Sequence, residues 1–489
     1  MAHDGEKGWA QGYLADQKKR KPPAFLYLEK LRAMRWVSGE EMTEAERAAL
    51  VNLLRREDDK NEVEELRRLR PLLHDDDCSR WSEYIEKAWK HAGHEPKNKW
   101  AVYQLGVLGD DARVDVVALG LPALADQNYW RRATWYLDAF HRLGTRRARS
   151  WIFDLFCHAP MKGSVQRHSG ELIADAIRRE GVAEDVFVRS LDLHVRQTWD
   201  EEHLEHPDIT PNETTVRAGG RDLVVLMDAE FTTGLRDPAT GARVRELGEG
   251  TEGHDAFEAI RARIDAFVAE WSSHLEQAMV SARPFTITLL RERFLSEPIM
   301  ARLIETLVWR TSEGATLRFV DGEPFDHDYD PVALSPEDIL TLPHPVEMPA
   351  QDRSAWGNHL ADAELTQVFE QLNRPMLTPE NAPIARALRV DGVDMNSARE
   401  ALSRAGWRGS FAMPYETGHM TFHDRRQRAW ATFSPYAAQG SETGLQDLHF
   451  TDLWNSEVRV EDVDPVVYSE ALGAASRFYA AGAEFEEEQ

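Results

Sequence analysis

The chain has two cysteines in 489 residues, Cys78 and Cys157, too few for a disulfide framework. A reducing compartment follows, and with it a cytoplasmic address. No stretch approaches the ~18 uninterrupted apolar residues of a membrane helix. The opening MAHDGEKGWAQGYLADQKKRKPP holds no apolar core of signal-peptide length. Bases are outnumbered by acids, 58 to 84, for a net charge of −26. Such a molecule repels anionic polymers on average, so nucleic-acid binding would need a segregated basic patch and is not the expected activity. Catalytic signatures are also missing. There is no G-x-x-x-x-G-K-[ST] loop, no HExxH and no paired CxxC, and GSETG at 440–444 puts Ser441 in the wrong place for a nucleophile elbow. Cys157 and His158 are neighbours, which do not face each other on a helix. No cofactor is expected.

What remains is ordinary globular composition, 42% hydrophobic and 29% charged, in a chain long enough for two to four domains. Fifteen tryptophans imply extensive packed cores. Residues 1–23 read as a flexible segment whose KKRK run (Lys18 to Lys21) is a solvated linker more simply than a nuclear signal. Residues 24–206 read as helical. Thr43 and Glu46 make a capping box ahead of RAALVNLLRR, the HDDDCSRW stretch around Asp75–Asp77 breaks the pattern, and SEYIEKAWKHAG resumes it to a stop at Gly93. From residue 97 apolar helices alternate with glycine turns at Gly109, Gly144 and Gly181, spaced 35 and 37. A lone helix hairpin cannot bury such stripes but a stack can, so the segment reads as HEAT-like repeats.

The texture changes near 207. TTVRAGGRDLVVLM and GLRDPATGARVREL read as antiparallel hairpins, followed by a long helix striped by Phe257, Ile264, Phe267, Trp271 and Leu275. RERFLSEPIMARLIETLVW reads as helices and ATLRFVDGEPF as a strand entering an Asp321-Gly322 turn. Ser335-Pro336-Glu337 then reads as the cap of a short helix. ELTQVFEQL, ENAPIARAL and NSAREALSRAGW follow as further helices, and residues 409–468 as short strands. The fold class is therefore α+β, with residues 207–475 forming a mixed domain and 476–489 an acidic frayed tail.

The order of AGGRDLVV (218–225), DPATGARVREL (237–247), HLEQAM (274–279), RERFLSEPIMARLIETLVWR (291–310), TLPHPVEM (341–348), LTQVFEQLNRPMLTPE (365–380), RAGWRG (404–409) and VDPVVYSEAL (463–472) resembles the MolR-type (molybdate-metabolism-regulator-like) family. The resemblance covers roughly residues 100–475. No WGR segment is present, so DNA-break sensing does not carry over. The family's charged run after its final Ser-Glu is altered, since Ser469-Glu470 is followed here by ALGAASRF. Genes of this family tend to lie beside MoxR-type AAA+ ATPases and von Willebrand A proteins. The resemblance thus implies protein partners of those kinds in an ATP-driven assembly.

Three groups of residues could carry chemistry. Asp326, Asp328, Asp330 and Glu337 match calcium-loop spacing, but Pro331 stands where glycine should turn the loop. His203, Glu205 and His206 near Asp200, or His419 with His423, could hold a transition metal, though solvated or core histidines are commoner; no metal site is assigned. The third group is the segment between Tyr129 and Phe153, where Arg131, Arg132, Arg142, Arg146, Arg147 and Arg149 face a single acid, Asp138. Trp130, Trp135, Tyr136 and Trp151 are interleaved. Guanidinium forks beside aromatic planes suit phosphates, nucleic acid or an acidic protein surface. The alternative is that the arginines pair with acids on adjoining repeats and the aromatics are core.

The reading favoured is a non-catalytic interaction scaffold. An enzyme using Glu276, Arg310, His344 and Arg374 in the α+β half, and phosphate or nucleic-acid binding through the arginine-rich face, are the alternatives.

Overall fold

The structure, a computed structural model, describes residues 2–17, 23–27, 31, 33–58, 60–126, 129–158, 163–384, 393–394, 407–410, 418–424, 427–433, 442–443, 445–452 and 456–474. The chain divides into two units, Met1–Trp199 and Asp200–Gln489. The KKRK run, Ser441, the acidic tail and nearly all of NSAREALSRAGW lie outside the described residues, as does ENAPIARAL beyond 384.

The first unit is helical. α1 (Ala2–Ala15) occupies most of the stretch expected to be flexible. Ala10 and Leu14, one turn apart, are buried, and the Arg68 guanidinium lies 3.8 Å from the Trp9 ring centre. That docking explains the helix, because a lone amphipathic turn of this length is marginal in water. α2 (Glu44–Leu54) starts at the expected capping box: Glu46 N–H donates to Thr43 Oγ1, and Thr43 N–H donates to the Glu46 carboxylate. α3 (Glu64–Leu69) follows. α4 (Asp75–His91) opens on Asp75–Asp77, which is a correction: the three acids do not interrupt a helix but occupy its first turn, where the positive end of the helix dipole favours them. Gly93, φ +84°, follows its end as expected.

α5 (Trp100–Tyr103), α6 (Leu105–Leu108), α7 (Asp111–Asp126), α8 (Trp130–Leu143), α9 (Arg146–His158), α10 (Gly163–Glu180), α11 (Glu184–Ser190) and α12 (Val195–Glu202) complete the series. The marker glycines stand where the spacing predicts, directly after α6, α8 and α10. Gly144 and Gly181 take left-handed φ values, +66° and +65°, that let the chain leave the helix. α4 packs on α6, α6 on α8 and α8 on α10, while α7 packs on α9, so helices two apart in the chain are neighbours. Trp36, Trp81, Trp89 and Trp151 are fully buried, so these tryptophans are core.

The second unit is mixed α+β. β1 (Thr215–Ala218), β2 (Arg221–Met227), β3 (Thr233–Arg236) and β4 (Arg243–Val244) form an antiparallel sheet in chain order, with hairpins where the sequence places them. α13 (His254–Val280) lies on it, burying Phe257, Ile264, Phe267, Trp271 and Leu275. β5 (Phe285–Thr286) leads into α14 (Ile287–Leu289), a π-helical turn over Leu290–Phe294, and α15 (Pro298–Glu305). β6 (Trp309–Thr311), β7 (Thr316–Val320), β8 (Glu323–Phe325) and β9 (Ile339–Thr341) make a second antiparallel sheet with β5, ordered β5-β9-β6-β7-β8. α16 (Ala350–Asp362) follows. β10 (Val393–Asp394) pairs with β14 (Glu442–Thr443). β11 (Arg408–Ser410), β12 (Gly418–Asp424), β13 (Gln427–Phe433), β15 (Leu445–Asp452) and β16 (Glu457–Val458) form a third antiparallel sheet, and a last helix, α17, covers 465–474.

Two expected helices are absent. Residues 335–338 form a turn closed by Asp338, whose carboxylate accepts from Ser335 N–H at 2.7 Å, and the chain enters β9 directly. ELTQVFEQL is irregular because its polar side chains are recruited by neighbouring backbone. Fully buried Gln371 accepts from Val308 N–H at 2.9 Å and donates to Val308 O at 2.8 Å, standing in for a strand partner.

Candidate functional site

The arginine-rich segment does not form one face. Arg131 and Arg132 open α8, while Arg142 lies near its end, about 16 Å along the axis at 1.5 Å per residue. Arg142 reaches back to the loop after α2, donating to Glu57 at 2.9 Å and to Asp58 O at 2.5 Å, with its guanidinium 4.6 Å from the Tyr103 ring centre. Arg147 donates to Asp115 of α7 at 2.8 Å, and the same oxygen accepts Trp151 Nε1–H at 2.6 Å. Arg149 pairs with Glu180 of α10. Trp151 is buried and Trp135 half-buried against Trp89. Arg132 lies over Tyr129, at 4.2 Å, and Arg131 over half-buried Trp130, at 5.2 Å. Arg131 and Arg146 are exposed and have no carboxylate partner among the described residues.

Polar ties of this kind repeat along the stack. Tyr103 donates to Asp138, Thr145 to Asp111, and His141 meets Asp175; the partners are 35, 34 and 34 residues apart. Burial lowers the His141 pKa, against the Asp175 carboxylate that faces it. Farther along, Arg196 of α12 lies over Trp151 and pairs with Asp154 at 3.0 Å. These three separations lie close to the glycine spacings of 35 and 37, while the Arg147–Asp115 and Arg196–Asp154 ties span 32 and 42 residues.

In the second unit three of the four scattered residues come together. Glu276 lies near the end of α13, His344 just after β9, and Arg374 in the irregular segment that Gln371 anchors. Arg374 and His344 meet on Glu470 of α17, and Glu276 joins them through Arg374. Arg374 holds both Glu470 oxygens, Nε to Oε1 at 2.5 Å and Nη2 to Oε2 at 2.6 Å, and turns Nη1 to Glu276. His344 Nδ1 accepts Val346 N–H at 3.2 Å, which leaves the proton on Nε2, 3.0 Å from Glu470 Oε1. Burial works against the Glu470 charge, yet the Arg374 fork and His344 overcome it and hold its carboxyl at about 2. Arg374 is raised correspondingly. Arg310, the fourth residue, pairs instead with Glu347 at 3.1 Å. Glu470 was visible in the sequence only as the end of a resembling block, because nothing local marks a carboxylate 96 residues from its arginine.

Of the metal candidates, the acidic loop closes on itself. Asp326 Oδ1 accepts the N–H groups of Asp328 and Asp330, both at 2.9 Å, closing its own loop. Asp200 lies 4.0 Å from His274. His419 and His423 occupy β12, opposite Thr432 and Arg428 of β13. Among the described residues no group of three His, Cys, Asp or Glu could hold a metal, and no helix is long and apolar enough to cross a membrane. Buried Cys78 is pushed up to about 12 by desolvation, which makes it unreactive.

Residues 238–407 match a family described as a domain of unknown function, DUF4132. The chain is similar to YehI of Escherichia coli (strain K12), an uncharacterized protein, at 21% identity over 408 residues. That alignment takes in 79% of this chain and 32% of YehI, so the chain spans about a third of the length of the curated relative it matches. No solved structure matches.

Proposed function

We propose that the chain is a non-catalytic interaction scaffold or regulatory subunit of a multi-protein, ATPase-linked system, presenting a HEAT-like helical stack to protein partners. The observation that supports it is a series of polar ties joining helices well apart in the chain, Asp115 to Arg147 and Trp151, Asp138 to Tyr103, Asp154 to Arg196. Buried ion pairs add little net stability but strongly resist being broken singly, which suits a surface of fixed shape. Exposed Val116, Tyr129, Arg131, Arg146 and Val186 lie on that stack. The MolR-type resemblance supports a MoxR-type AAA+ ATPase or a von Willebrand A protein as partner.

The test is co-migration of the purified chain with a purified MoxR-type AAA+ ATPase in analytical ultracentrifugation, at about 10 μM each, where a micromolar complex would be mostly formed. A shared boundary and a changed ATPase rate are expected. Separate boundaries with that ATPase and with a von Willebrand A protein overturn the assignment.

A second reading, an enzyme of unknown reaction in the second unit, is favoured by the meeting of Glu276, His344 and Arg374. Against it, the polar atoms described there are largely engaged with one another, which supports a structural tie over an open site.

A further inference from the structure

Two arginines are buried among the described residues, Arg283 at 4% and Arg318 at 5% exposure. Arg283 has a carboxylate, Glu201, at 2.5 Å. Arg374, whose side chain is nearly as buried, has two. Arg318 has none within 4.0 Å among the described residues. Its Nε donates to His359 Nε2 at 3.2 Å and its Nη1 to Glu305 O at 3.2 Å. Its Nη2 has no hydrogen-bond partner among the described residues, and it is not among the polar atoms sealed from solvent.

The histidine cannot serve as counter-ion. His359 Nδ1 faces His327 O at 2.9 Å and must carry the proton to donate there, so Nε2 offers its lone pair to the guanidinium. Burial and the adjoining arginine both lower the His359 pKa, keeping the ring neutral. The Glu305 carboxylate is turned away to Gly322 N–H, at 3.0 Å. A guanidinium stays charged in proteins, and one desolvated without an anion is costly. The fold accepts that cost with Nη2 unpartnered among the described residues and not sealed from solvent.

Beside His359, the partner of Arg318, stands Tyr329. Its ring lies 4.4 Å from the His359 ring, it is 51% exposed, and its hydroxyl has no partner among the described residues. Tyr329 takes φ +65°, a left-handed conformation that disfavours a bulky residue by about 1–2 kcal/mol. The bonds from Asp326 Oδ1 to the N–H groups of Asp328 and Asp330 hold the loop in that shape. Strain of this kind, overdetermined by its surroundings, characterises ligand clamps.

We propose that Arg318 and Tyr329 form a binding site for a small monocarboxylate, whose oxygens take the Arg318 Nη2–H and the Tyr329 hydroxyl. The planar fork of the guanidinium matches a carboxylate. One negative charge neutralises Arg318, whereas a phosphate dianion would add a second charge beside Glu305 and the loop acids Asp326, Asp328 and Asp330. The site is independent of the scaffold reading, since it needs no protein partner.

The test is saturation-transfer difference NMR on the full chain with sodium acetate and sodium propionate, chloride holding the ionic strength constant and inorganic phosphate as competitor. Saturable acetate binding is expected. It should weaken about tenfold in Arg318→Met and about fivefold in Tyr329→Phe, as for loss of a charge-assisted and a neutral hydrogen bond. Tyr329 is exposed, so Tyr329→Phe keeps the wild-type thermal midpoint and decides the matter even if Arg318→Met fails to fold. Absence of saturable binding, or unchanged affinity in Tyr329→Phe, overturns the site. Displacement of acetate by a lower concentration of phosphate overturns the ligand class.

Discussion

Arg374 closes both edges of its guanidinium on Glu470, at 2.5 and 2.6 Å, joining an irregular segment to a helix 96 residues further on. The pair is buried, and Glu276 and His344 complete its coordination.

Removing one partner leaves an uncompensated charge in the core. Arg374→Ala is expected to cost the second unit about 3–5 kcal/mol, read as a lower denaturant midpoint for that unit's transition. A loss below about 1 kcal/mol would show that water reaches the cluster.

The same cluster sets an acid limit. The Glu470 carboxyl is held at about 2 in the folded state, below its ordinary value near 4.5. Its contribution is therefore complete above about pH 4.5 and is lost as the pH falls towards 2. That difference is worth roughly 3 kcal/mol at 1.36 kcal/mol per pKa unit. Thermal midpoints measured between pH 5 and 2 should fall more steeply for the wild type than for Glu470→Gln.

In the helical unit, Asp115 serves two donors on one oxygen. Asp115→Ala takes an acceptor from the Arg147 guanidinium and strands the indole N–H of buried Trp151. It should lower stability by about 3 kcal/mol or more, and by more than Arg147→Ala, which leaves Trp151 its acceptor. Circular dichroism melts of the two variants compare the costs directly.

The arginine-rich segment splits by the same logic. Exposed Arg131 and Arg146 can both become alanine within about 0.5 kcal/mol, whereas Arg142→Ala, which abandons buried Glu57, should cost about 3 kcal/mol or more. The full chain should not be retained on an oligonucleotide column even at about 50 mM salt, where phosphate contacts are strongest. Retention that weakens steeply with salt would restore the nucleic-acid reading.

Gly253 and Gly181 both hold left-handed φ, +84° and +65°. A Cβ at Gly253 would meet Arg217 O at 2.3 Å, while at Gly181 nothing lies within 4 Å. Gly181→Ala should cost only the conformational term, about 1–2 kcal/mol. Gly253→Ala must also move backbone, and its melting midpoint should drop further.

Much of the fold was legible because it rests on local chemistry. The Thr43–Glu46 box, the glycines after α6, α8 and α10, and the α13 stripe are each decided by residues within a turn or two of one another. Where reading failed, a distant partner overruled local preference. ELTQVFEQL has helical propensity, but Gln371 is committed to Val308 across 63 residues. Asp75–Asp77 looked like a break until the helix they begin was seen to bury Asp77 against Arg35.

The candidate sites divide the same way. The composition of the Tyr129–Phe153 segment showed segregated charge, yet only the tertiary structure decided that Arg142 is spent on the loop after α2, that Arg147 and Arg149 are spent on neighbouring helices, and that Arg131 and Arg146 are not. Glu276, His344 and Arg374 were nameable one by one, but their meeting on Glu470 was not, and neither was the lack of a carboxylate at Arg318. Sequence alone determined the capped helices, the glycine turns, the hairpins and the absence of known catalytic signatures, because helix caps, glycine turns and apolar stripes are short-range. Which charges are neutralised, and which one is left waiting, is long-range electrostatics, and only the tertiary structure decided it.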